Sequence, residues 1–277
     1  MHTHSMTTDQ HNRAKRSRQT MVYREFKPGK ALRPYVVAYW SFRVVPDAGE
    51  IMHSIPLTGA ATLSVSVSAG RIILVGPRTR PWQVIVRASD EFWGVHFVPG
   101  AAEALLGISG GSLRDVQAEA ARLAGRRWAA QTLAGLRRAR GVGQVRHLLD
   151  RQLSMLARSA PRLDSAVTHC VSLIMSSEGA LPIARVAAEV GLSERQLRRR
   201  FRAATGLTPK EFARVRHVRA AAVNAVHAHT IHWGGIAADC GYADQSHLIG
   251  EFRRTLGLTP IRFGRHVRRI KHVRVMR

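Results

Sequence analysis

The sequence predicts an α+β amino-terminal domain, a small and mostly antiparallel sheet or barrel plus helices, followed by an all-α domain. Three observations carry this reading. Short alternating runs rich in β-branched and aromatic residues occupy 32–97, apolar residues at helical spacing fill the chain from 101 onward, and about fifty residues are duplicated toward the C-terminal end. At 277 residues the chain exceeds one typical domain of roughly 100–200 residues, and 45% hydrophobic with 22% charged residues exclude a disordered chain.

Residues 1–20 carry no apolar periodicity and several basic side chains, so they read as a disordered basic arm; Met6 or Met21 is an alternative start. The amino-terminal domain, over 21–160, is expected to sense a ligand or dimerise. Its strands are Val36–Val45, a run in which Leu63, Val65 and Val67 alternate with serines, Ile72–Val75, Trp82–Val86 and Phe92–Phe97. The serine alternation implies one wet sheet face, as in antiparallel sheets. After Pro99-Gly100 the period changes to helix over Ala101–Leu106, Arg126–Arg138 and Val145–Leu156. Leu148, Leu149, Leu153 and Leu156 share one face, which either covers the sheet or forms a dimer seam. Ala157 to Pro161 reads as the boundary, and 161–277 as a wholly helical domain opened by the stripe Leu163, Val167, Cys170, Val171 and Ile174.

Within that domain Val186-Ala-Ala-Glu-Val-Gly191 returns as Ile236-Ala-Ala-Asp-Cys-Gly241. Leu197, Phe201 and Gly206-Leu-Thr-Pro209 return as Leu248, Phe252 and Gly257-Leu-Thr-Pro260. Each copy reads as a short helix, a glycine turn and a second helix opened by a capping residue, Ser193 with Gln196 in the first copy and Asp244 in the second. That is the helix-turn-helix unit, here over about 182–204 and 231–255. At 100° per residue with Leu197 at zero, Phe201 falls at about 40° and marks the buried side, while Arg195, Arg198, Arg199 and Arg202 cluster between roughly 100° and 200°. Guanidinium forks pair with phosphates and guanine edges, so this face suits a major groove. The second copy presents Gln245 and Ser246 with Ile249, Gly250 and Arg253. A linker helix over about 209–227 joins the copies; roughly eighteen residues span about 27 Å, near the ~34 Å turn of B-DNA.

Charge points the same way, though less sharply. Forty-three Lys and Arg against eighteen Asp and Glu give +25, which favours a polyanionic partner, with Arg-rich codon usage as the bland alternative. The excess is 23 over 10 before residue 161 and 20 over 8 after it, so net charge alone locates no binding face. Two cysteines without metal spacing fit a reducing cytoplasm, and no window of about eighteen apolar residues suggests a membrane span. Cys170 and Cys240 read as small core residues. His227, His229 and His232 lack neighbouring ligands and read as solvent- or phosphate-facing, so no metal and no cofactor is expected. Trp40, Trp82, Trp93 and His96 either line a small-molecule pocket or fill a core, and the core reading is favoured.

The residues Ala187 to Phe201, Gly206-Leu-Thr-Pro209, Ile236 to Leu248, Phe252-Arg-Arg254 and Gly257-Leu-Thr-Pro260 resemble the DNA-binding domain of AraC-type (AraC/XylS) transcriptional regulators. The resemblance implies base-reading residues at Arg195, Arg198 and Arg199 in the first unit and at Gln245, Ser246 and His247 in the second, with Arg202 and Arg253 added from the face analysis. Gly250 departs from the family, whose members often carry Arg there. Leu32-Arg-Pro-Tyr35, Tyr39-Trp40, Val75-Gly-Pro-Arg78 and Gly94 to Ala102 are similar to an amino-terminal module of some such regulators. The implied function is a cytoplasmic, sequence-specific regulator, not an enzyme, bound to double-stranded DNA. A small-molecule effector, RNA polymerase and a second copy of the chain are the further partners it admits, and no membrane. The alternative is a DNA-repair or modifying enzyme using the C-terminal domain for targeting; a non-specific architectural protein is a third reading.

Overall fold

A computed structural model describes residues 20–55, 57–227 and 230–275. Of the arm predicted over 1–20 only Thr20 lies within it. Strands β1 (Met21–Phe26), β2 (Val36–Val44), β4 (Thr62–Ser66), β5 (Arg71–Val75), β7 (Glu91–Phe97), β8 (Gln117–Glu119) and β9 (Ile270–Val275) form one sheet in the order β8-β5-β4-β7-β2-β1-β9. Strands β3 (Ile51–Ile55) and β6 (Trp82–Val86) form a separate antiparallel ribbon. Every pairing in the large sheet is antiparallel except β1 with β9. The amino-terminal half is thus the mostly antiparallel sheet with helices that the sequence predicts, and the C-terminal part is helical with two helix-turn-helix units.

Alternation decides which face of the sheet is covered. Leu63 and Val65 of β4 stand opposite Leu74 and Ile72 of β5, and all four point into the main core. Their serine neighbours are only half-buried on the other face. Helices α1 (Ala101–Leu106), α2 (Gly110–Leu113), α3 (Ala120–Leu123), α4 (Arg126–Arg138) and α5 (Val142–Ala157) follow β7 in the chain, β8 lying between α2 and α3. Leu148, Leu149 and Leu153 of α5 are buried against the sheet and Leu156 packs on the same core, so this stripe is core. A second, smaller core forms where the β3–β6 ribbon covers β1 and β2 through Met21, Trp40, Phe42, Val44, Ile51 and Val86.

Two expectations change. The chain after Pro161 is not helical throughout, because Ile270–Val275 is a strand that pairs with β1. Its β-branched residues at 270, 273 and 275 suit a strand, but its partner lies some 250 residues upstream, beyond any local window. Strands β1, β3 and β8 also fall outside the predicted runs, since charged and polar residues interrupt their apolar pattern.

The helical part comprises α6 (Ser165–Ser176), α7 (Ile183–Glu189), α8 (Glu194–Thr205), α9 (Pro209–His227), α10 (Trp233–Asp239), α11 (Gln245–Leu256) and α12 (Pro260–Val267). It holds two cores that share one helix. Phe212 and Ala213, at the start of α9, pack with Leu197, Phe201 and Ile174; Val218, Ala221, Ala222 and Ala225, further along, pack with Leu248, Phe252 and Phe263. At about 1.5 Å per residue its nineteen residues make a strut of about 28 Å.

The sheet half touches both units. The Arg114 guanidinium donates to both Glu211 carboxylate oxygens, at 2.7 and 3.0 Å, and to the Gly206 carbonyl at 3.0 Å. Gly206 ends α8 at φ +76 and abuts Gly110 so closely that a Cβ on either would lie within 2.6 Å of the other's backbone. On α12, which follows the second unit, His266 Nε2 lies 3.1 Å from His53 Nδ1, and burial pushes the His53 pKa down to about 3.

Candidate nucleic-acid interface

The first unit is α7, a turn at Gly191 with φ +67, and α8. The Ser193 hydroxyl accepts from the Gln196 amide N–H at 3.3 Å, while the Gln196 side-chain oxygen accepts from the Ser193 N–H at 3.0 Å. This reciprocal pair satisfies two amide donors that the first turn leaves orphaned. Leu197 and Phe201 are fully buried and fix the helix's rotation. Arg195, Arg198, Arg199 and Arg202 are consequently exposed, and none makes an ion pair or side-chain hydrogen bond among the described residues. Four unpaired cations on one helical face are a ready surface for phosphates.

Arg200 behaves differently, and the sequence reading left it unassigned. Its guanidinium donates to both Asp164 oxygens, at 2.7 and 2.9 Å. Asp164 also caps α6 by accepting from the Ala166 and Val167 N–H groups. Burial works to raise the Asp164 pKa, but the Arg200 pair and the two amide donors outweigh it and hold the carboxyl below its ordinary range. The helical wheel carries the signal that separates Arg200 from the other four: it falls at about 300°, beside Leu197.

The second unit repeats the plan with α10, a turn at Gly241 with φ +73, and α11. His232 Nδ1 accepts from the Gly235 N–H at 3.0 Å and so caps α10; His229, predicted beside it, lies outside the described residues. The Asp244 carboxylate accepts from the His247 N–H at 2.7 Å. Gln245, Ser246, His247 and Arg253 are exposed, with His247 set edge-on to Tyr242. Gly250 is exposed too, and a Cβ there would meet nothing within 4 Å. Arg254 is taken up by Glu251, which also receives Arg214 at 3.4 Å.

The other residues singled out from sequence have local partners. Cys170 is fully buried, and burial pushes its thiol pKa up to about 12; Cys240 is half-buried against the second core. Trp40 is buried in the smaller core and stacks on His96, whose ring nitrogens lie 3.0 Å from the Tyr23 hydroxyl and 3.2 Å from that of Thr62. Trp93 donates to Glu91, and Trp82 lies under the Arg78 guanidinium. Among the described residues no group of three or more His, Cys, Asp or Glu is placed to hold a metal, and no helix is long and apolar enough to cross a membrane.

Paired helix-turn-helix units on one strut, with a cationic exposed face on α8, define a DNA-binding class. Residues 186–266 match the family described as Helix-turn-helix domain, and this segment is a helix-turn-helix domain of the AraC type. Residues 24–119 match a domain of unknown function (DUF6597). This domain supports a DNA-binding transcription regulator. No curated protein matches the chain. Among solved structures it is similar to a transcriptional regulator with an AraC-type DNA-binding domain from Chromobacterium violaceum, at 27% identity over 37% of this chain and 91% of that one, TM-score 0.34. It is also similar to ToxT from Vibrio cholerae, at 11% identity over 89% and 97% of the two chains, TM-score 0.45. The xylose-binding transcription activator xylR shows 16% identity over 44% and 39%, TM-score 0.33.

Proposed function

We propose that the protein regulates transcription by sequence-specific binding, with α8 and α11 reading adjacent major-groove segments about one helical turn apart. The observation that carries the reading is the set of four exposed, unpaired arginines on α8. Arg195, Arg198 and Arg199 read base edges and Arg202 neutralises phosphate in the first half-site. Gln245, Ser246 and His247 read the second, with Arg253 on its backbone. Phosphate neutralisation supplies most of the affinity and the base contacts supply the sequence preference. The amino-terminal sheet domain places this binding under small-molecule control, and its ties to both units at Arg114 and His53 give such control a physical route.

The test is a gel-shift titration on fragments selected from genomic DNA by the purified protein. The expected result is a preference of 10³ or more for the selected site over random DNA. Equal affinity for both would reduce the protein to a non-specific DNA coat.

A further inference from the structure

Net charge over the whole chain locates no binding face, but local charge does. Residues 120–163, which carry the helical pair α4 and α5, hold ten arginines and a single acidic residue, Asp150. All ten arginines are exposed. Asp150 does not neutralise them: its carboxylate accepts from the Tyr39 hydroxyl at 2.8 Å and the Gly29 N–H at 2.9 Å, and of the ten only Arg146 approaches it, at 3.8 Å. Among the described residues the other nine make no ion pair and no side-chain hydrogen bond. A solvated helical face ordinarily mixes signs, because like charges one turn apart repel. The pattern is sharpest on α4, where Trp128, Thr132 and Leu136 are buried. With Trp128 at zero on a helical wheel these three fall between 0° and about 80°. Arg126 and Arg137 fall at roughly 160–180°, and Arg127 and Arg138 at roughly 260–280°, so the four flank the outward pole. Arg126 and Arg127 open the helix and Arg137 and Arg138 close it, about 16 Å away.

We infer that this face of the sheet half is a second DNA-binding surface, which grips the phosphate backbone of a duplex without reading its bases. Duplex DNA carries one negative charge per ~1.7 Å of its axis, dense enough to engage both ends of α4 at once. Guanidinium forks take phosphate oxygens in pairs, and each contact releases counterions. The face suits that partner and not a lipid surface. Trp128 and Leu136 are committed to the main core, which leaves α4 no apolar wedge to enter a bilayer. The inference rests on the reading of the chain as a DNA-binding protein, and it adds a contact from the half that holds no helix-turn-helix unit.

The test titrates the full chain with a fluorescent random-sequence duplex by anisotropy, over a series of salt concentrations. One variant removes the α8 cations (Arg195→Ala, Arg198→Ala, Arg199→Ala and Arg202→Ala). It should keep salt-dependent binding to the random duplex. Adding Arg126→Gln, Arg127→Gln, Arg137→Gln and Arg138→Gln should then weaken that binding at least tenfold and reduce the salt slope by about 3, as expected for four lost phosphate contacts. The same four positions changed to Lys keep their charge and should stay within about threefold of the arginine protein. Arg126→Glu with Arg127→Glu places acids where the helix dipole favours them, so it tests the face even if the glutamine set fails to fold by circular dichroism; it too should cost at least tenfold. Losses within twofold for the glutamine and glutamate variants, or an equal loss for the lysine set, overturn the surface. Displacement of the duplex by polyglutamate at a lower charge concentration than by unlabelled duplex also overturns it, in favour of an acidic protein partner. The two readings separate in this design. Complete loss of binding on removing the α8 cations sinks the α4 surface and leaves the major-groove reading standing. No loss from the α8 set together with a full loss from the α4 set does the reverse.

Discussion

The two helix-turn-helix units share a plan and differ in what they put outside. The first spends four arginines on its outer face, opens α8 with a reciprocal Ser193–Gln196 cap, and is tied to the sheet half by a bidentate ion pair at the head of α9. The second opens α11 with a single Asp244 acceptor, interrupts its outer face with Gly250, and neutralises one of its two arginines through Glu251. Duplication preserved the positions that pack, since Leu197 and Phe201 are as fully buried as Leu248 and Phe252. The positions that face outward have diverged. The core constrains residue type at every buried site, whereas an outer face answers only to its partner.

The largest expected effect tests the shared core. Phe201→Ala should cost about 4 kcal/mol. Because α9 serves both cores, urea unfolding followed by circular dichroism should remain a single transition; separate melting of the two units would show that the strut does not couple them. Next, Arg198→Ala with Arg199→Ala should weaken specific DNA binding about 100-fold and reduce the salt slope by about 2, whereas Gln245→Ala with His247→Ala should cost less than about tenfold. Equal losses in a fluorescence-anisotropy titration would erase the asymmetry between the units.

Arg114→Ala should destabilise the protein by about 2 kcal/mol, the scale of a lost charge-assisted hydrogen bond. The Glu211 pKa is held down to about 2, first by its hydrogen bonds from Arg114 and then, against the opposing effect of burial, by those from Thr208. A depressed carboxyl contributes stability that is present above its ordinary value near 4.5 and is lost as pH falls toward 2. Thermal melts of Arg114→Ala across that window should therefore fall less steeply than those of the natural protein. The smallest effect is at Gly250. With open space around a Cβ there, Gly250→Ala should stabilise by up to about 1 kcal/mol, and Gly250→Arg should also raise DNA affinity several-fold. An unchanged or lower affinity for Gly250→Arg would mean that the second unit meets DNA on another face.

The helical part was legible because its determinants are local. Capping residues, glycine turns and the 3.6-residue stripe all lie within a dozen positions of one another, and the wheel alone exposes Arg195, Arg198, Arg199 and Arg202. The sheet was legible only where alternation was clean, as at Leu63–Ser66. Strand β9 was not, since its partner lies at the other end of the chain. The ties between the halves were equally hidden: nothing near Arg114 announces Glu211, ninety-seven residues on.

The parallel pairing of β1 with β9 also bears on how the molecule would respond to tension. Met21 opens β1 and Val275 closes β9, and in a parallel pair these two points lie at opposite ends of the same ladder. A pull applied between them loads all the inter-strand hydrogen bonds in shear at once, where a hairpin pulled at its open end yields bond by bond. In a single-molecule stretching experiment gripping the chain outside these strands, this ladder would be the first mechanical barrier, guarding both helix-turn-helix units.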